Sequence, residues 1–264
     1  MACYIEHILA STEAQADLKE LVKEASVRRR MSRVLKLGVG TAIESLGGVE
    51  QIDALDGIIT ATGWGCLGDS ERFLVTMIQS REELLNPTPF IQSTFNTVGG
   101  LVALLRHNRC YNMTYAGVVS SFENALLDGW LRIEDGDARR VLVGAFDELT
   151  PTLDKLQRRM GLYRSHTAGE GALFLTLTAE RSEESVASLR RIEWLTEELD
   201  ERALTERFGA GEVVRQSDTT WYPTYSAMLL HRAVKRIEAG AERVLIYNKQ
   251  PEAAPVVMVV ECLG

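Results

Sequence analysis

Two adjacent serines stand where a strand pattern gives way to a helix pattern, a position that suits acyl-transfer chemistry. Ser120 and Ser121 follow the segment YNMTYAGVV and precede FENALLDGWLRI. Backbone amides at the start of a helix can stabilise a developing negative oxygen, so a serine there could attack an acyl group beside an oxyanion hole. A serine nucleophile also needs a base. Because no histidine lies in this segment, we favour a role in capping the helix.

Other candidate nucleophiles and bases are scattered along the chain. Cys66 lies in a glycine-rich turn and Cys110 directly precedes a strand pattern. His166 precedes a Gly-Glu-Gly-Ala segment and could act as a general base. A lone cysteine more often packs as a small apolar side chain, and a loop histidine is more often hydrogen-bonded or exposed. Ser120, Cys66 and Cys110 therefore stay as candidate nucleophiles, with structural roles favoured for each.

Three glycines have the spacing of a dinucleotide-binding turn. Gly63, Gly65 and Gly68 fit GxGxxG, but the acidic residue needed about 20 residues later is met only loosely, by Glu82 and Glu83. Metal binding is also disfavoured, because the cysteines include no CxxC pair and the histidines lack ligand spacing. These residues are Cys3, Cys66, Cys110, Cys262, His7, His107, His166 and His231. We expect no cofactor and no metal.

The elements that must position these residues are read from apolar patterning. Continuous apolar runs alternate with helix patterns, which predicts an α/β fold with strands buried on both faces. The strand patterns cover residues 141–145, 172–177, 244–247 and 256–260, with a short run at Ile58 and Ile59. The helix patterns cover residues 28–46, 69–85 with Asp69 and Ser70 as cap candidates, 94–105, 119–133, the Glu- and Arg-rich 180–207, and 224–239 with Gly240 as the stop.

Composition limits the class of protein. A chain of 264 residues with 45% apolar residues can bury a sizeable core, and we expect one unit over 1–264 with a seam near Thr150 that separates 1–150 from 151–264. The net charge of −8 disfavours nucleic-acid binding. No apolar run approaches the roughly 20 residues of a membrane helix. The N-terminal residues lack the features of a secretory signal, so we expect a cytoplasmic protein with reduced cysteines.

Several segments, in the right order, resemble the ketosynthases (beta-ketoacyl synthases) of the thiolase-like superfamily. The resemblance covers most of the chain and is strongest over residues 86–176. It rests on DGII with GWGCLG, NPTPF with STFNTVGG, SSFENA with GDA, VLVGAFDE, and GEGA with LFLTL. It implies an α-β-α-β-α layered thiolase-like fold with two similar halves, here reduced in size.

The departures from that family concern its catalytic groups. The nucleophilic cysteine of ketosynthases corresponds to Val118 or Val119 here, and a branched alkyl group cannot attack a thioester. The family's first catalytic histidine corresponds to Pro223, in WYPTYSA, and the second to Asn248, in YNKQ. The thiol and both histidines are therefore absent together, which predicts that the condensing site is lost while the fold is kept.

The resemblance implies a protein of fatty acid or polyketide biosynthesis, of the aryl polyene or flexirubin type. We interpret it as a non-condensing partner similar to a chain length factor, which forms a homodimer or a heterodimer with an active ketosynthase. Two alternatives stay open: an active synthase or acyltransferase with an unusual nucleophile, and an acyl-binding scaffold. The predicted dimer interface consists of Phe90, Phe95, Asn96, Gly99, Tyr111 and Tyr115. The predicted docking site for an acidic acyl carrier protein consists of Arg28, Arg29, Arg30 and Arg33.

Overall fold

A computed structural model describes residues 3–161, 164, 166–217, 219–250 and 253–264. The strands are β1 (Cys3–Ala10), β2 (Gly57–Thr62), β3 (Tyr111–Ala116), β4 (Arg140–Asp147), β5 (Thr167–Ala168), β6 (Gly171–Thr178), β7 (Ala187–Trp194), β8 (Glu212–Val214), β9 (Thr220–Trp221), β10 (Arg243–Asn248) and β11 (Val256–Glu261). The helices are α1 (Leu18–Leu21), α2 (Ala25–Arg30), α3 (Arg33–Ser45), α4 (Leu67–Gln79), α5 (Pro87–Gln92), α6 (Thr97–Leu104), α7 (Ser121–Glu134), α8 (Pro151–Arg159), α9 (Glu201–Phe208) and α10 (Ser226–Glu238), with a 3-10 turn at Val49–Ala54.

Nine strands pair in the order β3-β2-β4-β6-β1-β7-β11-β10-β8. β2 is parallel to both β3 and β4, and β8 is parallel to β10. The pairs between β4 and β10 in that order are antiparallel. β1 joins the two parts of the sheet, since it pairs with β6 on one side and with β7 on the other, with an irregularity between Ile5 and Ile8. β3 and β8 are the two outer strands.

Successive side chains of a buried strand point to opposite faces of the sheet, and they pack into three separate cores. In β4, Val141, Val143 and Ala145 join the central core, whereas Leu142 and Phe146 face the core beneath α3 and α6. The central core also holds the apolar faces of α7 and α10 and alternate residues of β10 and β11. The remaining residues of those two strands pack against α9. The layers therefore run α-β-α-β-α, which confirms the predicted thiolase-like layering.

Most predicted elements are present, with corrections at three of the helix patterns. The pattern over 28–46 forms two helices, because α2 ends at Arg30 and Ser32 is extended before α3. The predicted caps Asp69 and Ser70 are wrong, since α4 begins at Leu67 and Asp69 lies buried in its first turn. Gly240 has a positive φ directly after α10 and ends it as predicted.

The prediction of a surface helix over residues 180–207 is wrong over most of its length. Residues 187–194 form β7, and only 201–208 are helical. β7 pairs with β1 and β11 on its two sides, and these ladders override the helix propensity of its Arg and Glu residues. Across the described part of the chain, the helices are all too short or too polar to cross a bilayer.

The pairing of β4 with β6 requires a glycine at one point, which a matched pair of substitutions can test. A Cβ at Gly144 would lie 2.0 Å from the Phe174 ring, whereas a Cβ at Gly100 in α6 would meet no atom within 4 Å. We expect Gly144→Ala to lower the free energy of unfolding by about 1–3 kcal/mol through overpacking. Gly100→Ala should leave it unchanged or raise it slightly. Urea denaturation measures both, and equal unfolding midpoints would contradict the packing argument.

Candidate functional site

A buried carboxylate joins the segments that surround the candidate site. Asp147, at the end of β4, is fully buried. Its Oδ1 accepts hydrogen bonds from the Thr62 hydroxyl (3.0 Å) and from the amides of Gly63 (2.8 Å) and Trp64 (2.9 Å). Its Oδ2 accepts from the amide (3.1 Å) and the hydroxyl (2.8 Å) of Thr224, just before α10. Burial raises the pKa of Asp147, and these donors oppose the rise. The carboxylate therefore links the ends of β2 and β4 to the start of α10.

The glycines of the GxGxxG spacing are explained by packing within the chain. A Cβ at Gly63 would lie 2.1 Å from Pro223, and a Cβ at Gly65 would lie 2.6 Å from the ring of Phe95. Gly65 also has φ +62°, a conformation that favours glycine. The amides that would cradle a phosphate are already occupied, since Asp147 accepts from Gly63 and the Glu148 Oε1 accepts from Gly68 (2.8 Å). This turn is therefore not built to bind a dinucleotide.

The turn between β3 and α7 lies beside the glycine turn. The Gly117 amide donates to the Thr62 carbonyl (3.0 Å) and fixes the two turns together. Val118 and Val119 are 39% and 41% exposed, so in the single chain their side chains reach the surface. Ser120 adopts a left-handed conformation (φ 54°) at the N-cap of α7, and its hydroxyl does not cap the helix. The favoured capping role of Ser120 is therefore wrong, although the strained strand-to-helix turn is present.

Asn248 and Pro223, predicted to correspond to the family's histidines, lie close to this turn within a buried polar cluster. Asn248, at the end of β10, donates to the Glu123 Oε1 across 2.6 Å. Glu123 lies in the first turn of α7 and is fully buried. Pro223 packs against Gly63, and its carbonyl accepts from the Gln250 side chain (3.1 Å). The site interior is thus filled by Glu123, Asn248, Gln250 and Pro223.

Glu123 and Asp147 were missed by the sequence reasoning, although each leaves a signal. Asp147 ends an otherwise apolar strand, where a carboxylate is unusual unless it is hydrogen-bonded. Glu123 lies between Phe122 and Ala125, both fully buried, on the apolar face of α7. Burial raises the pKa of Glu123, and hydrogen bonding from Asn248 and Ser226 opposes the rise.

The thiols proposed as alternative nucleophiles lie in unsuitable environments. Burial, with Asp69 and Glu148 nearby, raises the pKa of Cys66 to about 12. Burial also raises the pKa of Cys110, which is half-buried, and raises that of Cys3 to about 12. A reactive cysteine needs a lowered pKa, because the thiolate is the nucleophile.

The histidines have other contacts. The His231 ring lies 2.9 Å from a Glu13 carboxylate oxygen, and His7 lies 3.1 Å from Glu184. His166 packs edge-on to Trp221 with ring centroids 6.3 Å apart. Within the described residues, the His, Cys, Asp and Glu side chains form no cluster of three or more that could hold a metal ion.

The four arginines predicted to dock a carrier protein differ in their exposure and in their hydrogen bonds within the chain. Arg33 donates to both carboxylate oxygens of Glu170 (2.5 and 2.6 Å) and to the Leu149 carbonyl (3.2 Å). The bond from Arg33 lowers the pKa of Glu170. Arg28 donates to the Val22 carbonyl, whereas Arg29 and Arg30 are exposed. The Arg33 and Arg28 side chains therefore stabilise the local fold.

The residues predicted at a dimer interface lie on or under one surface beside the outer strand β3. Phe90, Phe95 and Asn96 are exposed, and Tyr115 is half-buried. The Tyr111 hydroxyl donates to Asp128 (2.9 Å) and the Arg132 guanidinium covers its ring at 3.2 Å. Gly99 is buried, and a Cβ there would lie 3.0 Å from Asn112. In the single chain, Gly99 therefore packs beneath Asn112 of β3.

Comparison with known proteins agrees with this geometry. The family model described as "Beta-ketoacyl synthase, N-terminal domain" matches residues 6–159. No curated protein sequence matches the chain.

Solved structures share the fold at low sequence identity. The ishigamide ketosynthase/chain length factor superposes with a TM-score of 0.80 at 15% identity, over 100% of both chains. A beta-ketoacyl synthase from Burkholderia phymatum gives 0.73 at 12% identity, also over 100% of both chains. The ketosynthase ApeO in complex with its chain length factor ApeC, from Xenorhabdus doucetiae, gives 0.62 at 15% identity over 99% of both.

The buried carboxyl of Glu123 predicts a pH dependence of stability. Because its folded pKa lies above the unfolded value, the folded chain binds more protons than the unfolded chain between the two values. The free energy of unfolding contributed by this group should therefore fall as pH rises above about 4.3. Glu123→Gln keeps an acceptor for Asn248 but cannot titrate, so wild type should lose stability relative to it between pH 5 and pH 8. Urea unfolding of both proteins measures this, and parallel curves would refute it.

Proposed function

The chain belongs to the beta-ketoacyl synthase family, and we propose that it is a non-condensing partner subunit of an active ketosynthase, similar to a chain length factor. The observation that carries the proposal is the sequence and form of the turn between β3 and α7. The turn has a strand-to-helix form with a left-handed Ser120, and it carries Val118 and Val119 where the resemblance to ketosynthases predicts the thiol. Neither side chain can form a thioester with an acyl group.

The interior of the site supports the same function. Condensation would need a nucleophile that is activated either by a neighbouring base or by a lowered pKa. Pro223 has no side-chain proton donor, and the amide of Asn248 is engaged with Glu123. Asp147 accepts hydrogen bonds from the chain on both carboxylate oxygens, and Glu123 accepts one from Asn248. In the proposed role these groups serve internal packing.

The outer strand β3 supports the presence of a partner. An exposed edge strand without charged residues or proline is prone to pair with another chain unless it is covered. β3 reads Tyr-Asn-Met-Thr-Tyr-Ala and is half-exposed. A cavity of about 620 Å³ lies alongside it, lined by residues 93–96 with Asn112, Met113, Thr114 and Ala116. A partner seated here would cover β3, Phe95 and the two valines and would close this cavity.

We propose an active ketosynthase as the partner on this surface. The solved structures similar to this chain include complexes of a ketosynthase with its chain length factor. We infer that the chain acts in acyl-chain extension during fatty acid or polyketide biosynthesis by shaping the acyl cavity of its partner. Arg29 and Arg30, which are exposed on α2, would attract the acidic carrier protein to the complex by electrostatic steering.

Acyl labelling tests the absence of a nucleophile. Incubation of the purified chain with an acyl thioester, followed by intact-mass spectrometry, should give no adduct, because the valines cannot react and burial raises the pKa of Cys66. An active ketosynthase is the positive control and should be modified at one site. A stoichiometric adduct on this chain, mapped to Ser120, Cys66 or Cys110, would overturn the non-condensing role.

Co-purification with a ketosynthase encoded beside this chain tests the partner. Met113 on β3 is 41% exposed, and Met160 after α8 is 74% exposed, so they form a matched pair. Met113→Asp should weaken the complex by at least about tenfold, because it buries a charge at the interface. Met160→Asp should leave the affinity unchanged. Failure of the wild-type chain to bind any such ketosynthase, or equal binding by both variants, would contradict the proposal.

A further inference from the structure

A second cavity, of about 640 Å³, lies between β8 and α10 at the opposite end of the strand order from β3. We call it the α10 groove. It is lined by Val213, Val214, Arg215, Ser217, His231, Arg232, Lys235, Arg236 and Ala239. Its size falls within the range of small-molecule sites, about 300–1,000 Å³. Because it is remote from β3 in the sheet, a partner on β3 would leave it open.

The basic side chains of the groove come from two walls. Residues 231, 232, 235 and 236 recur at spacings of three to four along α10, which places them on one face of that helix. Arg215, directly after β8, supplies the other wall. Four side chains that are always cationic at neutral pH, together with one histidine, therefore line one cavity.

Two of the guanidinium groups are held in place by tyrosines. The Arg215 guanidinium lies over the ring of the buried Tyr247, 4.3 Å from its centroid. The Arg232 Nη2 donates to the Tyr225 hydroxyl across 2.6 Å. These contacts orient the groups and leave their positive charge in place. Ordered guanidinium groups lose less side-chain entropy when they bind a ligand.

The carboxylates near the groove neutralise it only in part. Glu13 pairs with His231 and Glu238 with Lys235, while Glu212 lies 3.9 Å from Arg236. Arg215 forms no ion pair within the described part of the chain. None of the described residues that line the groove is acidic. On a chain with a net charge of −8, the described lining of this cavity is basic, with Arg215, Arg232, Lys235 and Arg236.

We propose that the α10 groove binds a small phosphate ester. Arginine matches the oxygen geometry of phosphate and can contact it through two donors, while lysine adds a point charge. Val213, Val214 and Ala239 provide an apolar surface for the organic part of the ligand. A longer polyanion such as a nucleic acid is disfavoured, because the acidic remainder of the chain would repel it. The proposal is independent of the partner subunit and of the condensing site.

Calorimetric titration of the full chain with AMP and with inorganic phosphate tests the site. The test variant is Lys235→Gln/Arg236→Gln, which removes two exposed charges from α10. The control is Lys155→Gln/Arg159→Gln, which removes the same two charges from the exposed face of α8. Circular dichroism and the melting temperature should show that both variants stay folded.

AMP should bind with one-to-one stoichiometry and more tightly than inorganic phosphate, because its organic part contacts the apolar surface. The α10 variant should weaken AMP binding by at least about tenfold, as expected for the loss of charge-assisted hydrogen bonds. The α8 variant should stay within about twofold of wild type. Absence of saturable binding at millimolar AMP, or equal losses in the two variants, would overturn the site. Equal affinity for AMP and phosphate would overturn the assignment to an ester.

Discussion

The hydrogen bonds received by the Asp147 carboxylate hold the centre of this molecule together. Fully buried carboxylates are costly unless donors replace the lost water, and here amides and hydroxyls from two segments, 62–64 and Thr224, do so. The position of Thr224 in turn places Pro223 against Gly63, where no side chain would fit. The end of β2 and the start of α10 are therefore fixed relative to each other by one side chain. Because the two segments lie so close together, position 63 must be glycine.

The same interior shows how buried polar groups can be occupied by hydrogen bonds within one chain. An oxyanion site needs preorganised donors that point at the reacting group. In this chain the polar groups bind each other, as Asn248 does with Glu123 and Gln250 with the Pro223 carbonyl. The turn before α7 has a left-handed Ser120 and carries two valines. In the proposed non-condensing role, it serves the packing of two turns.

Local patterns predicted the buried strands but carried no information on which strands pair. The apolar runs of β4, β6, β10 and β11 identified them because those strands are covered on both faces. β7 carries Arg190 and Arg191 at exposed positions, so its strand character depends on neighbours that are remote in sequence. The candidate site shows the same difference between local and long-range features. The turn with Val118 and Val119 could be predicted from the sequence. The hydrogen bonds of Asp147 with Thr224 and of Glu123 with Asn248 join positions that only the folded chain brings together.

The place of β1 in the sheet has a consequence for the order in which the chain can fold during synthesis. Tyr4 pairs with both Thr178 and Ser188. β1 therefore cannot complete its pairing until most of the chain has left the ribosome. Contacts of such high sequence separation slow folding, because a long loop must close before they form. The parallel strands β2, β3 and β4 can associate earlier, with α7 between them. β1, which precedes these strands in the chain, can join the two parts of the sheet only after Ser188 has been made, and until then the edge of β6 is open to pairing with other chains.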